Sequence, residues 1–173
     1  MKDKEKILVV CTGNTCRSPM AAALLQRLLA KKGEGERFSI ESAGLAAWPG
    51  APAAGHAVEV AAEEDIDLGS HRARQLTGEM VAAAALVITM TEEHREAVLA
   101  LLPEAKGKVF TLIELGAGEE GEGGLNIGDP FGGSLDDYRR SWREIQYHLK
   151  KIEGQLFSRL GREKEEEKRM NKS

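Results

Sequence analysis

Short apolar runs alternate with amphipathic stretches along this chain. Residues 6–10, KILVV, form a β-branched run of the kind that makes a strand buried on both faces. A polar turn, CTGNTCRS, fills 11–18. Pro19 then opens an Ala/Leu-rich stretch to 32, with Met20, Ala23, Leu24 and Leu28 at helical spacing. Proline suits a first helical turn, where its missing N–H is not needed. Gly33 and Gly35 close that helix, and 38–42 reads as a second strand. The stretch 43–54 is loop and 56–65 a second helix. Thr77 caps a helix to 84, and LVITM at 86–90 is a third strand. Thr91 caps a helix to about 102, with Glu92 and Glu93 in the first turn, where the helix dipole favours them. Pro103 ends it. VFTL at 109–112 is a fourth strand, followed by a glycine-rich loop over 116–133. A last helix over 134–158 carries Tyr138, Trp142, Ile145, Leu149 and Ile152 on one stripe.

Such alternation predicts an α/β fold: a single three-layer domain whose four-stranded parallel sheet carries helices on both faces. The length of 173 residues fits one domain. Residues 1–160 are expected to form it, and the almost wholly charged stretch 161–173 a flexible tail.

Composition narrows the function classes. There are 24 basic and 28 acidic residues, for a net charge of −4. A general nucleic-acid or anionic-membrane binder needs a basic surface, so neither partner is expected. Aromatics are only 5% of the chain, leaving few rings to stack on bases or sugars. The apolar part of MKDKEKILVV is too short for a signal-peptide core, and no apolar run approaches the ~20 residues of a membrane span. A cytoplasmic protein with reduced thiols is expected. The two cysteines, Cys11 and Cys16, are too few for a disulfide framework and have no zinc-ligand spacing. No metal or cofactor is expected, and the protein is expected to be a monomer.

The chemistry concentrates in Cys11-Thr12-Gly13-Asn14-Thr15-Cys16-Arg17-Ser18. A tight turn between a buried strand and a helix aims successive N–H groups into a concavity. The helix N-terminus adds partial positive charge, so the turn suits a phosphate-sized anion. Gly13 permits positive φ, and Asn14 is the non-glycine type that best tolerates it. The Gly-x-x-x-x-Gly-Lys-Ser/Thr spacing of a nucleotide-binding loop is absent. A cysteine instead opens the turn and an arginine closes it, with five residues between. Arg17 can then grip two phosphate oxygens as a planar fork. Cys11 lies at the floor of the cradle, where its thiolate is favoured and would be an activated nucleophile. For a lone cysteine, simple packing at a strand end would be the better reading. Ser18 is read both as the helix N-cap and as a hydroxyl donor to the Cys11 sulfur.

VCTGNTCRSPMA at 10–21 resembles the signature of the low-molecular-weight protein tyrosine phosphatases. The likeness extends through HRARQL at 71–76, LVITM at 86–90 and DPFGG at 129–133, covering about residues 5–158. It implies hydrolysis of phosphorylated protein side chains through a cysteinyl-phosphate, without metal. The family's acid, the Asp of its Asp-Pro motif, falls on Asp129. Parallel strands end on one edge of the sheet, so the loop after strand four can reach the cradle there. Phe131 stands where many members carry the Tyr of the pocket mouth; its other reading is a loop-anchoring ring. His71 resembles the family's His that hydrogen-bonds the loop Asn, here Asn14; its other reading is an exposed turn residue. In some members the second cysteine traps the oxidised nucleophile as a disulfide, which would pair Cys11 with Cys16; packing is the other reading of Cys16. His56, His94 and His148 show no partner pattern and read as surface residues. Two positions depart from the usual pattern, Ala22 where many members carry Glu and Ala85 where many carry Asp.

A bacterial subgroup of protein-arginine phosphatases carries Thr in the cradle, where tyrosine phosphatases carry a larger aliphatic residue, together with Asp-Pro-Phe-Gly-Gly. This chain has Thr15 and the same pentapeptide, and so resembles that subgroup most. Phosphotyrosine is the alternative substrate. Arsenate reductases of this fold need further downstream cysteines, and none follows Cys16. A thiol redox sensor and a non-catalytic phosphoprotein-binding module are the alternatives of a different class. The module would be expected to lack Cys11, Arg17 or Asp129.

Overall fold

Strand β1 (Glu5–Cys11) sends alternate side chains into two separate apolar clusters. Ile7, Val9 and Cys11 join one, and Leu8 and Val10 join the other. A strand buried on both faces needs cover on both, and the rest of the chain supplies it. The structure is a computed structural model that describes residues 3–117 and 124–172, with the backbone alone for 157–167.

The elements follow in the order α1 (Arg17–Lys31), β2 (Phe38–Gly44), α2 (Gly55–Glu63), α3 (Gly78–Ala83), β3 (Leu86–Thr89), α4 (Glu92–Leu101), a 3-10 turn (Pro103–Gly107), β4 (Val109–Thr111), α5 (Leu112–Ala117) and α6 (Leu135–Met170). The sheet order is β2-β1-β3-β4, all parallel. Residues from α1, α2, α5 and α6 share the cluster of Ile7 and Val9, and Val81 of α3 and Val98 of α4 share that of Leu8 and Val10. Four parallel strands between two helical layers is the architecture the alternation predicts. The chain passes from β1 to one neighbour, β2, and later to the other, β3, so a crevice opens at the carboxyl ends of β1 and β3.

Local chemistry sets the helix ends. Thr77 and Thr91 are caps, accepting from Met80 N–H at 3.2 Å and His94 N–H at 3.1 Å. Helix α5 replaces part of the expected glycine-rich loop and shortens the expected fourth strand, which stops at Thr111. Its signal is a capping box, Thr111-Leu-Ile-Glu114: the Thr111 hydroxyl accepts Glu114 N–H at 3.0 Å, and the Glu114 carboxylate accepts Thr111 N–H at 3.1 Å. Of the expected loop, 118–123 lies outside the described residues.

The predicted stripe of α6 is buried from Tyr138 to Ile152. Each such side chain is worth ~1.5–3 kcal/mol when fully buried, against ~0.2–0.5 for an exposed ion pair, so the stripe positions the helix. Helix α6 continues to Met170 rather than ending near 158. The charged sequence that suggested a tail is made largely of Glu, Lys and Arg, which are strong helix formers. Residue 173 and the side chains of 157–167 lie outside the described residues.

Candidate active site

The turn from Thr12 to Cys16 sits in the crevice at the end of β1, and its carbonyls are anchored outward. Those of Cys11, Thr12 and Thr15 accept from the N–H groups of Leu45, Ala46 and Ala54 at 3.0, 2.9 and 2.9 Å. The Asn14 carbonyl lies 2.7 Å from His71 Nε2. In a trans peptide the N–H of the next residue points the opposite way. The amides of Thr12, Gly13, Thr15 and Cys16 are thereby turned away from these anchors. Helix α1 adds its own end. No side chain caps it, and its first internal bond runs from Met20 N–H to the Cys16 carbonyl, with the N–H groups of Arg17 and Ser18 ahead of that bond.

Asn14 fixes the shape of the turn. It is fully buried and left-handed, with φ of 57°. Gly13 has no positive φ, so the left-handed residue expected at either position is Asn14 alone. Arg74 N–H donates to Asn14 Oδ1 at 2.9 Å, which sets the amide's orientation. Asn14 Nδ2 then donates to Ser18 Oγ at 2.8 Å and to Ser42 Oγ at 2.9 Å. The Ser18 oxygen is therefore an acceptor from Asn14, and its own proton is free to point at Cys11 Sγ, 2.9 Å away. This corrects the reading of Ser18 as N-cap: Cys16 occupies that position, and Ser18 faces the sulfur. Asn14 N–H also approaches Cys11 Sγ, at 3.3 Å. Gly44 backs the turn so closely that a Cβ there would stand 2.6 Å from Thr12 O and 2.9 Å from Asn14 N.

A cavity of about 180 Å³ opens above the sulfur, lined by Cys11, Thr12, Gly13, Thr15, Cys16, Arg17, Asp129 and Phe131. Arg17 is buried. Its Nη1 donates to the Ile127 carbonyl at 3.0 Å, and its Nη2 lies 3.5 Å from Thr12 Oγ1 and 3.4 Å from Asp129 Oδ2. Ile127 N–H in turn bonds the Met90 carbonyl at 2.8 Å, so the segment before Asp129 crosses the end of β3 and delivers the carboxylate to the cradle. Phe131 is 75% exposed at the mouth, not an anchored ring. Cys16 is buried, with Tyr138 Oη 3.3 Å from its sulfur, and burial pushes its thiol above the ordinary range. Both cysteines are free thiols.

His94 contradicts its reading as a surface residue. It is 5% exposed, and its Nε2 lies 2.8 Å from Thr12 Oγ1. Burial, with Arg17 nearby, pushes its imidazole down to about 4, against the opposing influence of Asp129. The available signal is its place three residues after a Thr cap, at the end of a strand adjoining β1. His56 and His148 are half-buried, packed edge-on against Tyr138 and Tyr147.

A larger cavity, about 600 Å³, lies elsewhere, between α1, β2 and the segment 65–74. It contains no cysteine, and Ala22 is among the residues that line it. Ala85 sits at the amino end of β3, bonding Lys6, on the sheet edge opposite the cradle. Among the described residues no cluster of His, Cys, Asp or Glu could hold a metal ion, and no helix is long and apolar enough to cross a membrane.

The sequence model of a family described as low molecular weight phosphotyrosine protein phosphatase matches residues 6–166. A protein-arginine-phosphatase of Bacillus subtilis (strain 168) is 40% identical over 150 residues, covering 87% of this chain and 95% of the relative. A probable low molecular weight protein-tyrosine-phosphatase, EpsP, of Ralstonia nicotianae is 40% identical over 140 residues, covering 81% and 88%. A solved structure of the arginine phosphatase YwlE, a Cys-to-Ser mutant with a phosphorylated active-site serine, superposes with a TM-score of 0.79 at 38% identity. The match covers 87% of this chain and 95% of that one.

Proposed function

The chain belongs to the low-molecular-weight phosphotyrosine protein phosphatase family, and from that premise we propose that it hydrolyses phosphorylated protein side chains, phosphoarginine before phosphotyrosine. In this reading the amides of 12–18 and the Arg17 fork hold the phosphoryl oxygens. The Cys11 thiolate attacks phosphorus as the bond to the leaving group breaks, and Asp129 gives that group its proton. Asp129, now a carboxylate, takes a proton from the water that attacks the phosphocysteine. The Cys11 sulfur leaves as thiolate towards the Ser18 hydroxyl, and inorganic phosphate departs. In this reading the working form is a cytoplasmic monomer that needs no cofactor. Peroxide would convert Cys11 to a sulfenic acid, and the Cys16 thiol would then form a disulfide with release of water.

The observation that carries the arginine preference is the pairing of Thr15 and Asp129 on the wall of one cavity with Cys11. Just beyond phosphorus, phosphoarginine places polar N–H groups and phosphotyrosine an apolar ring. The Thr15 hydroxyl and the unprotonated oxygen of the Asp129 carboxyl can accept from the former. A site built on hydrogen bonds discriminates strongly, because the wrong ligand strands a polar group. Phosphotyrosine is the second reading, favoured by the exposed Phe131 ring at the mouth. The test is kcat/KM on matched phosphoarginine and phosphotyrosine peptides. Wild type should prefer phosphoarginine, and Thr15→Ile should lose that preference and gain on phosphotyrosine. A wild type that prefers phosphotyrosine would establish the second reading.

A further inference from the structure

We propose that His94 is a positioning residue: it turns the Thr12 hydroxyl proton into the cradle, so that Thr12 donates a side-chain hydrogen bond to a bound phosphoryl oxygen. The proposal rests on the phosphatase reading only in naming the phosphoryl group as ligand.

The argument is one of hydrogen-bond accounting. His94 Nε2 and Arg17 Nη2 lie 2.8 and 3.5 Å from the same oxygen, Thr12 Oγ1. Arg17 can only donate. His94 Nδ1 is buried without a hydrogen-bond partner among the described residues. A neutral imidazole carries one N–H. With the proton on Nδ1, a buried N–H is stranded; with the proton on Nε2, only a lone pair is stranded, which costs less. The Nε2–H form is therefore favoured, and it donates to Thr12. The doubly protonated form is disfavoured by burial and by the neighbouring guanidinium. A hydroxyl has two acceptor sites and one proton. His94 and Arg17 take both acceptor sites, and the proton is left for another partner. Thr12 lines the cavity with Cys11 and Arg17. A phosphoryl oxygen held there is an acceptor placed to receive that proton. Without His94, the hydroxyl could rotate and present a lone pair to the phosphoryl group instead.

Two measurements on the full chain test this. Long-range ¹H–¹⁵N spectra of histidine-labelled protein read the tautomer directly. His94 should be protonated at Nε2 alone near neutral pH, and a proton on Nδ1 would overturn the proposal. Inorganic phosphate binding, measured by calorimetry, reads the consequence. Thr12→Val should weaken it about tenfold, the effect of one hydrogen bond to a charged group. His94→Phe should weaken it comparably, and the double variant no further than either alone. His94→Gln, which restores an N–H donor, should recover most of the loss. Unchanged affinity in Thr12→Val, or fully additive losses in the double variant, would refute it. Should His94→Phe fail to fold, Thr12→Val and the wild-type spectrum still decide. A wild type that binds phosphate with this signature but hydrolyses no phosphopeptide would sink the phosphatase reading and leave this inference standing.

Discussion

Arg17 and Asp129 face each other across the mouth of the cradle at 3.4 Å, a buried guanidinium against a carboxylate whose side chain is 48% exposed. A bound phosphoryl group offers Arg17 stronger, bidentate partners and frees the carboxyl for the leaving group. A carboxyl that carries a proton there also avoids like-charge repulsion with the phosphate. Asp129→Asn should therefore slow turnover by about 10²–10⁴-fold, with a smaller loss on substrates with good leaving groups. Phosphate binding should hold or tighten, since the competing anion is gone. Steady-state rates on a leaving-group series check this, and an unchanged rate on a poor leaving group would move the acid elsewhere.

Gly44→Ala tests whether the turn is held from behind. The added Cβ would press on backbone atoms of Thr12 and Asn14, which cannot rotate aside as a side chain can. Stability should fall by about 1–3 kcal/mol. Because the turn itself must shift, kcat/KM should fall about 10²-fold. Thermal melts alongside kinetics separate the two effects. Normal kinetics in a destabilised Gly44→Ala protein would mean that the turn tolerates displacement.

The parts of the site legible in the sequence are those close together along the chain. A strand, an eight-residue polar turn and a helix suffice to place Cys11, Asn14 and Arg17 around one cradle. Asp129 was legible through its motif, whereas the contact that delivers it, Ile127 against the end of β3, joins distant segments. The role of His94 is not legible in the sequence because its partner Thr12 lies 82 residues away. Its place three residues after the Thr91 cap is the one local signal, and that place does not identify the partner. Gly44 falls in a stretch whose sequence reads as loop, because its constraint is the approach of another backbone. Helix α5 carries a capping box in its sequence, but a six-residue helix shows no clear period.

His94 also makes stability depend on pH. An unfolded histidine takes up a proton below about 6.5, and the folded one only near 4. Between those values the unfolded state binds more protons, so stability falls as pH drops through that window. Urea midpoints at about pH 7 and about pH 5 should show wild type losing more stability than His94→Phe. Equal losses would show that His94 titrates normally in the folded protein.

Cys16 tests the redox reading. Burial beside Tyr138 raises its thiol above the ordinary range and so favours the protonated form. After peroxide and then a thiol reductant, wild type should recover more activity than Cys16→Ala, in which the nucleophile can oxidise beyond rescue. Equal recovery would leave Cys16 a packing residue.

The most direct test of the whole account is to catch the intermediate. Wild type mixed with a phosphoarginine peptide, quenched within one turnover and mapped by mass spectrometry, should carry one phosphoryl group on Cys11. The same should hold in Cys16→Ala, which removes the neighbouring thiol from the assignment. Turnover with the phosphoryl group on another residue, or with no covalent phosphoenzyme under conditions that preserve phosphocysteine, would contradict the account.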